Sequence, residues 1–201
     1  MPRSFTWFFW LSALSVALVS WRVLVAPVDL VMPAMAHYLA DFPLSLAAHI
    51  LFGPLALLLA PFQLWQGLRQ RRPGLHRWLG RLYGLSILGG GLASLTLLPG
   101  FEGSRFAALG FGTLAVLWIG ITLWGIGRAR AGDIAAHRRW MQRSVALTFA
   151  AVTLRLIMAP LMAAGWSLTE TYDITAWGSW LINLAVLEIW QRWRVQRPRV
   201  A

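Results

Sequence analysis

The chain has 201 residues, of which 58% are hydrophobic and 12% charged, and its mean hydropathy of +0.61 excludes a single soluble domain. All 18 basic residues are arginine, seven residues are acidic, and the net charge is +11. The absence of cysteine excludes disulfides, thiolate metal ligands and thiol catalysis. This composition predicts an integral membrane protein.

Six apolar segments predict an all-α bundle of six transmembrane helices, because each is close to the ~20 residues that cross ~30 Å of hydrocarbon. Their bounds are 5–27, 44–66, 77–98, 105–127, 143–164 and 174–193, within a single transmembrane domain over residues 1–201. The first apolar stretch, of about 22 residues, exceeds the usual core of a signal peptide, so we expect a retained helix. Residues 28–43 are predicted to form an outer loop.

The arginines predict the orientation of the bundle. All but Arg22, Arg105 and Arg155 lie at the N-terminus, in two alternate loops or at the C-terminus. The positive-inside rule therefore places both termini in the cytoplasm. Anionic lipid headgroups are the expected partners of these arginines. Nucleic acid is not, because the charges are dispersed over loops rather than gathered in a groove.

Polar residues align with small ones on one face of the second and third predicted helices. The faces comprise His49, Gly53, Ala56, Ala60, Gln63 and Gly67 on the second helix, and His76, Gly80, Tyr83 and Ser94 on the third. Small residues allow helix backbones to approach closely. Both faces are therefore predicted to point into the bundle.

The fifth helix carries a polar stripe along its whole length. His137, Ser144, Thr148 and Arg155 fall within about 40° of one another at 100° per residue. An arginine at the centre of a membrane helix costs roughly 2.5–3.5 kcal/mol on insertion scales. The interior of the fold must therefore hold Arg155.

Depth along the helices, at about 1.5 Å per residue, predicts two polar layers. Arg155 and Asn183 lie about 13 Å from the outer boundary and His49 about 7–8 Å from it, which predicts an outer-half cluster for a quinone headgroup, another cofactor or a solute. The alternative is that helix-end carbonyls and Asn183 satisfy Arg155, which would then lock the bundle. The inner layer holds Gln63, His76, Arg81, Tyr83, His137, Arg143 and Glu188. Glu188 is expected to pair with Arg192, one helical turn further on.

Two strings, 61 residues apart, each open a helix that runs outward from the cytoplasm. They are His76-Arg77-x-x-Gly80-Arg81-x-Tyr83 and His137-Arg138-Arg139-Trp140-Met141-x-Arg143. A helix N-terminus offers unpaired N–H groups and a positive dipole end beside these arginines. The strings therefore suit an anion: a lipid phosphate, a haem propionate or a phosphorylated substrate.

The chain resembles the DUF2306 family of bacterial membrane proteins over about residues 44–190. The resemblance rests on His49-Ile50-x-x-Gly53-Pro54-x-Ala56-Leu57, Pro61-Phe62-Gln63, Leu75-His76-Arg77-x-Leu79-Gly80-Arg81-x-Tyr83, and the run from His137-Arg138-Arg139-Trp140-Met141 to Arg155. It implies a multi-span bundle with polar positions in these motifs, in the cytoplasmic (inner) membrane of a bacterium, and it offers no catalytic roles to carry over. Gln142 departs from the aliphatic residue expected there.

The predicted function is a redox or cofactor-binding membrane protein that holds a haem or meets a quinone. Two imidazoles at equal depth, His76 and His137, can ligate a haem b iron or a transition metal, or can instead bond loop carbonyls and lipid phosphates. The candidate cofactor-binding residues are His49, His76, Arg81, Tyr83, His137, Arg143, Arg155 and Asn183. The alternatives are a small transporter and a structural or accessory subunit, in a homo-oligomer or a larger membrane complex.

Overall fold

A computed structural model describes residues 3–196, which form helices joined by short turns and contain no strand. The all-α prediction is confirmed. The helices are α1 (Arg3–Ser20), α2 (Val28–Val31), α3 (Tyr38–Asp41), α4 (Pro43–Leu64), α5 (Gln66–Arg71), α6 (Pro73–Leu97), α7 (Arg105–Arg130), α8 (Ile134–Thr148), α9 (Ala150–Ala163) and α10 (Leu168–Gln196). The predicted outer loop thus contains two short helices, α2 and α3.

Within the described residues, five helical stretches are long and apolar enough to cross a membrane. They are Thr6–Leu24, Pro43–Leu64, Pro73–Gly100, Arg105–Arg130 and Ile134–Ala163. Helix α10 has 29 residues and is long enough, but its sequence is less apolar because it includes Glu170, Asp173, Asn183 and Glu188. A sixth span at α10 and the cytoplasmic placement of both termini stay predictions.

Local sequence fixes where the central helices begin. Pro73 stands in the first turn of α6, where a missing N–H costs no intrahelical bond. Ser104 caps α7 by accepting a hydrogen bond from the Ala107 N–H at 3.0 Å, and Asp133 caps α8 through the Ala136 N–H at 2.9 Å. These caps satisfy N–H groups that a helix start would otherwise leave unpaired.

One span is interrupted near its middle, between α8 and α9. The Thr148 hydroxyl donates to the Ser144 carbonyl at 2.9 Å, and such back-bonding bends helices. At the junction, the Val152 N–H bonds the Phe149 carbonyl at 2.9 Å, in the tighter i to i+3 pattern. The polar stripe of this span therefore coincides with its bend.

Four helices form the core, and α6 and α8 lie diagonally across it. Contacts run from α4 to α6, α6 to α7, α7 to α8 and α8 back to α4, whereas α6 and α8 are not extensive neighbours. Helix α1 packs outside against α4 and α9, and α10 packs against α7, α8 and α9. One buried cluster, on α4, α6 and α8, comprises Ala56, Leu59, Ala60, Tyr83, Ile87 and Val145.

The two ends of the bundle differ in sequence. We call the end that holds α5, the 131–133 turn and the starts of α6 and α8 the arginine end. The opposite end, formed by residues 21–42, 98–104 and 164–167, is the loop end.

Candidate functional site

The register between α6 and α8 is set by a buried hydrogen bond. The Tyr83 hydroxyl lies 3.0 Å from the Ser144 hydroxyl, 61 residues further along the chain. The two helices run in the same direction because they are separated by one antiparallel helix, so other pairs 61 residues apart lie at the same level. His76 and His137 are such a pair, two turns closer to the arginine end, and they lie within electrostatic range of each other. The structure therefore brings these two predicted site residues together.

The ring nitrogens of the two histidines differ in their hydrogen bonds. His137 Nδ1 lies 2.8 Å from the Gly125 carbonyl, which can only accept, so Nδ1 carries the proton and Nε2 presents its lone pair. His76 Nδ1 is buried without a hydrogen-bond partner among the described residues. Two imidazole nitrogens are thus available to a ligand.

A third polar group lies on the neighbouring helix α4. Gln63 is only 8% exposed, and its Nε2 is buried without a hydrogen-bond partner in the described part of the chain. Its Oε1 faces Gly80, where an added Cβ would lie 3.1 Å from that oxygen. Gly80 stands one turn after His76, so the amide approaches the face of α6 that also carries the histidine.

Two arginines lie near this pair. The charge of Arg69 acts on both His76 and Arg138. Burial, together with the nearby charge of Arg138, lowers the pKa of the Arg69 guanidinium below its ordinary value. Between residues 3 and 196, the ion pairs that form lie elsewhere in the bundle. We name Gln63, Arg69, His76, His137 and Arg138 the arginine-end cluster, and its charge favours an anionic group.

Above this cluster, buried side chains form a hydroxyl network that ties α6, α7 and α8 together. The Tyr83 hydroxyl lies 2.7 Å from Thr148 Oγ1, which also accepts the Trp118 indole N–H at 2.9 Å. Thr122 Oγ1 lies 2.7 Å from Ser144 Oγ. Carbonyl acceptors fix most of the directions: Thr122 donates to the Trp118 carbonyl at 2.7 Å, Thr148 donates to the Ser144 carbonyl, and Tyr83 therefore donates to Thr148. The Ser144 proton is left for the oxygen of Tyr83 or of Thr122.

The loop-end half holds a separate polar group around Arg155. Its guanidinium donates to the Ala151 carbonyl at 2.7 Å and to the Ser20 hydroxyl at 3.3 Å, and its charge acts on His49. His49 Nδ1 donates to the Ser94 hydroxyl at 3.0 Å, because that hydroxyl gives its own proton to a backbone carbonyl. The structure therefore brings Arg155 close to His49.

The family comparison covers the region that carries these groups. A family described as "Predicted membrane protein (DUF2306)" matches residues 46–191, which is more than half of the chain. The chain belongs to the DUF2306 family. No curated protein and no solved structure matches it. The matched region of this DUF2306 protein runs from α4 into α10 and includes the complete arginine-end cluster and hydroxyl network.

Three further candidate residues of the DUF2306 chain lie apart from these groups. Asn183 accepts a hydrogen bond from Thr153 at 2.8 Å and donates to the Ala146 carbonyl at 3.0 Å, so it fastens α10 to α8 and α9. Arg81 is exposed. Arg143 binds Glu188 with both Nε and Nη2, at 2.6 and 3.0 Å.

The pairing of Glu188 differs from the expectation. Its carboxylate bonds Arg143 on a different helix rather than Arg192 on its own. Helix α10 packs against α8, and the Arg143 guanidinium is further held 4.8 Å above the Trp140 ring. A bidentate bond from a positioned arginine is stronger than a pair one turn apart on an exposed helix face.

Sequence reasoning missed Trp118, Thr122 and Gly125 on α7. Thr122 interrupts an apolar run one turn after Trp118, and this spacing on one helix face was the available signal. It also missed Arg69 and Arg138 as neighbours of the histidines, because pairing between the α5 and α8 regions depends on how the helices assemble. Within the described residues, no group of three or more His, Cys, Asp or Glu side chains is placed to hold a metal ion.

Proposed function

We propose that this membrane protein binds a redox cofactor at the arginine-end cluster, and that the cofactor is a haem held by His76 and His137. One observation carries the proposal: the two histidines lie at one level on diagonal helices of a four-helix core, within electrostatic range of each other. Cofactor sites in helical bundles are built from side chains of facing helices.

The available nitrogens fit an iron porphyrin better than a bare ion. A porphyrin supplies four nitrogen ligands, so two protein imidazoles complete the coordination, whereas two imidazoles alone would leave a bare transition metal with too few ligands. The bond from His137 to the Gly125 carbonyl fixes the tautomer and orientation of the ring, as second ligand-sphere bonds do for metal-binding histidines.

The surrounding charges support the same assignment. The positive charges of Arg69 and Arg138 would neutralise the two propionates of a haem. When bound, a haem supplies one-electron chemistry by alternating between ferric and ferrous iron. The residues of this chain would bind the iron, orient the ring and balance its charge.

A quinone headgroup is the second candidate, and Gln63 favours it. Its buried Nε2 has two N–H donors and no partner in the described part of the chain, and a quinone carbonyl would accept from it. The buried His76 Nδ1 offers a second contact.

The test is the visible spectrum of the full-length protein purified in detergent, before and after dithionite, from cells supplied with a haem precursor. We expect a Soret band, with α and β bands that sharpen on reduction, and we expect its loss in His76→Ala and His137→Ala. His37→Ala is the matched control, because His37 pairs with Glu102 at the loop end.

Two further measurements distinguish haem from quinone and exclude misfolding of the variants. Added imidazole should restore the band in His137→Gly, since it can fill the vacated ligand position. A featureless spectrum in folded protein would refute haem binding. Quinone extracted from the same sample, and lost in Gln63→Ala, would then assign the site to a quinone.

We also propose that the arginine end faces the bacterial cytoplasm. Because the chain lacks cysteine, Ala131→Cys at the arginine end and Ala164→Cys at the loop end give single labelling sites. A membrane-impermeant maleimide applied to intact spheroplasts should label position 164 and spare position 131. The reverse pattern would refute this orientation.

A further inference from the structure

Among residues 3–196, Arg155 has no acidic partner although it lies inside a membrane-spanning helix. It stands eight residues before the last residue of α9, which is about 12 Å from that helix end. Its two hydrogen bonds, to the Ala151 carbonyl and the Ser20 hydroxyl, use two of the five N–H donors of a guanidinium. Neither acceptor carries a charge, so the positive charge of Arg155 stays uncompensated within the described residues.

A second arginine lies close by and increases this imbalance. The charge of Arg22 acts on Arg155, and Arg22 itself bonds the Val31 carbonyl through Nε at 2.8 Å. Arg22 is thus also bonded to a neutral carbonyl in the described part of the chain. Together with Ser20 and His49, these two arginines form what we call the loop-end cluster. Two guanidinium groups that repel each other in a low-dielectric setting favour an anion between them.

The loop-end cluster is open to the surroundings of the bundle. Arg155 is an exposed residue on the outside of the bundle, although it lies well inside the span, so the expectation that the interior of the fold would hold it is wrong. Exposed apolar residues adjoin it, with Leu156 next to it on α9 and Leu24 and Val25 just beyond Arg22. An anion with an alkyl tail would match both features, because its headgroup would meet the guanidinium groups while its tail lay along apolar surface.

We propose that Arg155 and Arg22 bind the phosphate or carboxylate headgroup of a single-tailed or double-tailed amphiphile that enters from the membrane beside α1 and α9. A free inorganic anion carries the same headgroup chemistry, but it would have to leave water to reach Arg155. An amphiphile already places its headgroup near the hydrocarbon boundary. This site is separate from the arginine-end cluster and does not depend on a cofactor there.

The test is the thermal unfolding of full-length protein in a neutral detergent, followed by tryptophan fluorescence. The probes are dodecyl phosphate, inorganic phosphate and dodecanol. At a dodecyl phosphate concentration about a hundredfold above Kd, we expect the melting temperature to rise by about 5–10 °C. Inorganic phosphate and dodecanol at the same concentration should change the melting temperature by less than about 1 °C, because inorganic phosphate lacks the alkyl tail and dodecanol lacks the anionic headgroup.

Variants identify the residues responsible. Arg155→Gln should abolish the shift and Arg22→Gln should at least halve it. Arg105→Gln is the matched control, since it removes an exposed arginine at the same end of the bundle and should retain the full shift. If Arg155→Gln does not fold, Arg155→Lys keeps the charge and should retain a reduced shift.

Three results would overturn the proposal. An undiminished shift in Arg155→Gln would place the amphiphile elsewhere. An equal loss in Arg105→Gln would show that any arginine at this end suffices. An equal shift with inorganic phosphate would assign the cluster to a free anion. The visible spectrum of Arg155→Gln, which should match that of the wild type, keeps this test independent of cofactor binding.

Discussion

Replacing Tyr83 by Phe removes a single hydroxyl from the point where α6, α7 and α8 are tied together. The ring is fully buried, and its hydroxyl bonds Ser144 and Thr148 at 3.0 and 2.7 Å. Phe keeps the shape of the ring, so the change measures the hydrogen bonds with little effect on packing.

The size of the effect follows from what the hydroxyl leaves behind. Each buried neutral hydrogen bond contributes about 0.5–1.5 kcal/mol, and bonds between membrane helices average about 0.6 kcal/mol. Thr148 would keep the Trp118 indole as a donor, and Ser144 would keep Thr122 as an acceptor for its proton. Because Thr148 and Ser144 would each keep a hydrogen-bond partner, we expect Tyr83→Phe to lower the free energy of unfolding by about 1–2 kcal/mol.

The assay is reversible unfolding in mixed micelles of increasing dodecyl sulfate content, followed by tryptophan fluorescence. Tyr172→Phe is the matched control, because the Tyr172 hydroxyl makes no hydrogen bond to the described residues. A Tyr83→Phe variant as stable as the wild type, or no less stable than the control, would refute the reasoning.

Three other changes test the packing, capping and pairing of the helices. Gly110→Ala should lower the free energy of unfolding by about 1–3 kcal/mol, because a Cβ there would lie 2.8 Å from an indole nitrogen. Gly120→Ala on the same helix is the control: its Cβ would meet nothing within 4 Å, so the change should be neutral or stabilising by up to about 1 kcal/mol. Chemical unfolding measures both. The Glu170 carboxylate accepts hydrogen bonds from Ser167 at the N-terminus of α10, and these bonds lower the pKa of the carboxyl group. The stabilisation that the carboxylate gives the protein is therefore complete above pH 4.5 and is lost as the pH falls through the lower native pKa. In a pH series of melting temperatures, Glu170→Gln should remove this pH-dependent loss. A double-mutant cycle of Arg143→Gln and Glu188→Gln should give a coupling free energy of about 1–2 kcal/mol. This value allows for solvent screening, because the two side chains are 22% and 36% exposed. A coupling near zero would contradict the bidentate pair.

Much of the candidate site could be predicted from residue spacing alone. The 61-residue offset between the two histidine strings predicted equal depth, and the observed pairing of Tyr83 with Ser144 has the same offset. The inward face of α4 was also predictable, because small and polar residues recur at helical spacing up to Gln63, which is buried. These inferences hold because position along a helix fixes both depth and direction.

Other contacts could not be read from spacing. Asn183 was expected beside Arg155 because both lie at similar depth, yet it bonds Thr153 on a different face of α9. Glu188 was expected to pair within its own helix, and Arg143 on α8 binds it instead. Depth gives one coordinate of a side chain, and the partner depends on which helix packs beside it.

The sequence by itself determined that this is a membrane protein of several helices, where those helices lie and which of their faces are polar. Hydropathy, helical period and capping are local properties, and each can be evaluated over a few turns of chain. Only the tertiary structure decided that α6 and α8 lie diagonally across the core, that α7 completes the hydroxyl network, and that Arg155 meets the end of α1. Those choices depend on the packing of helices that are far apart in the chain, and packing depends on the shapes of all the facing side chains at once.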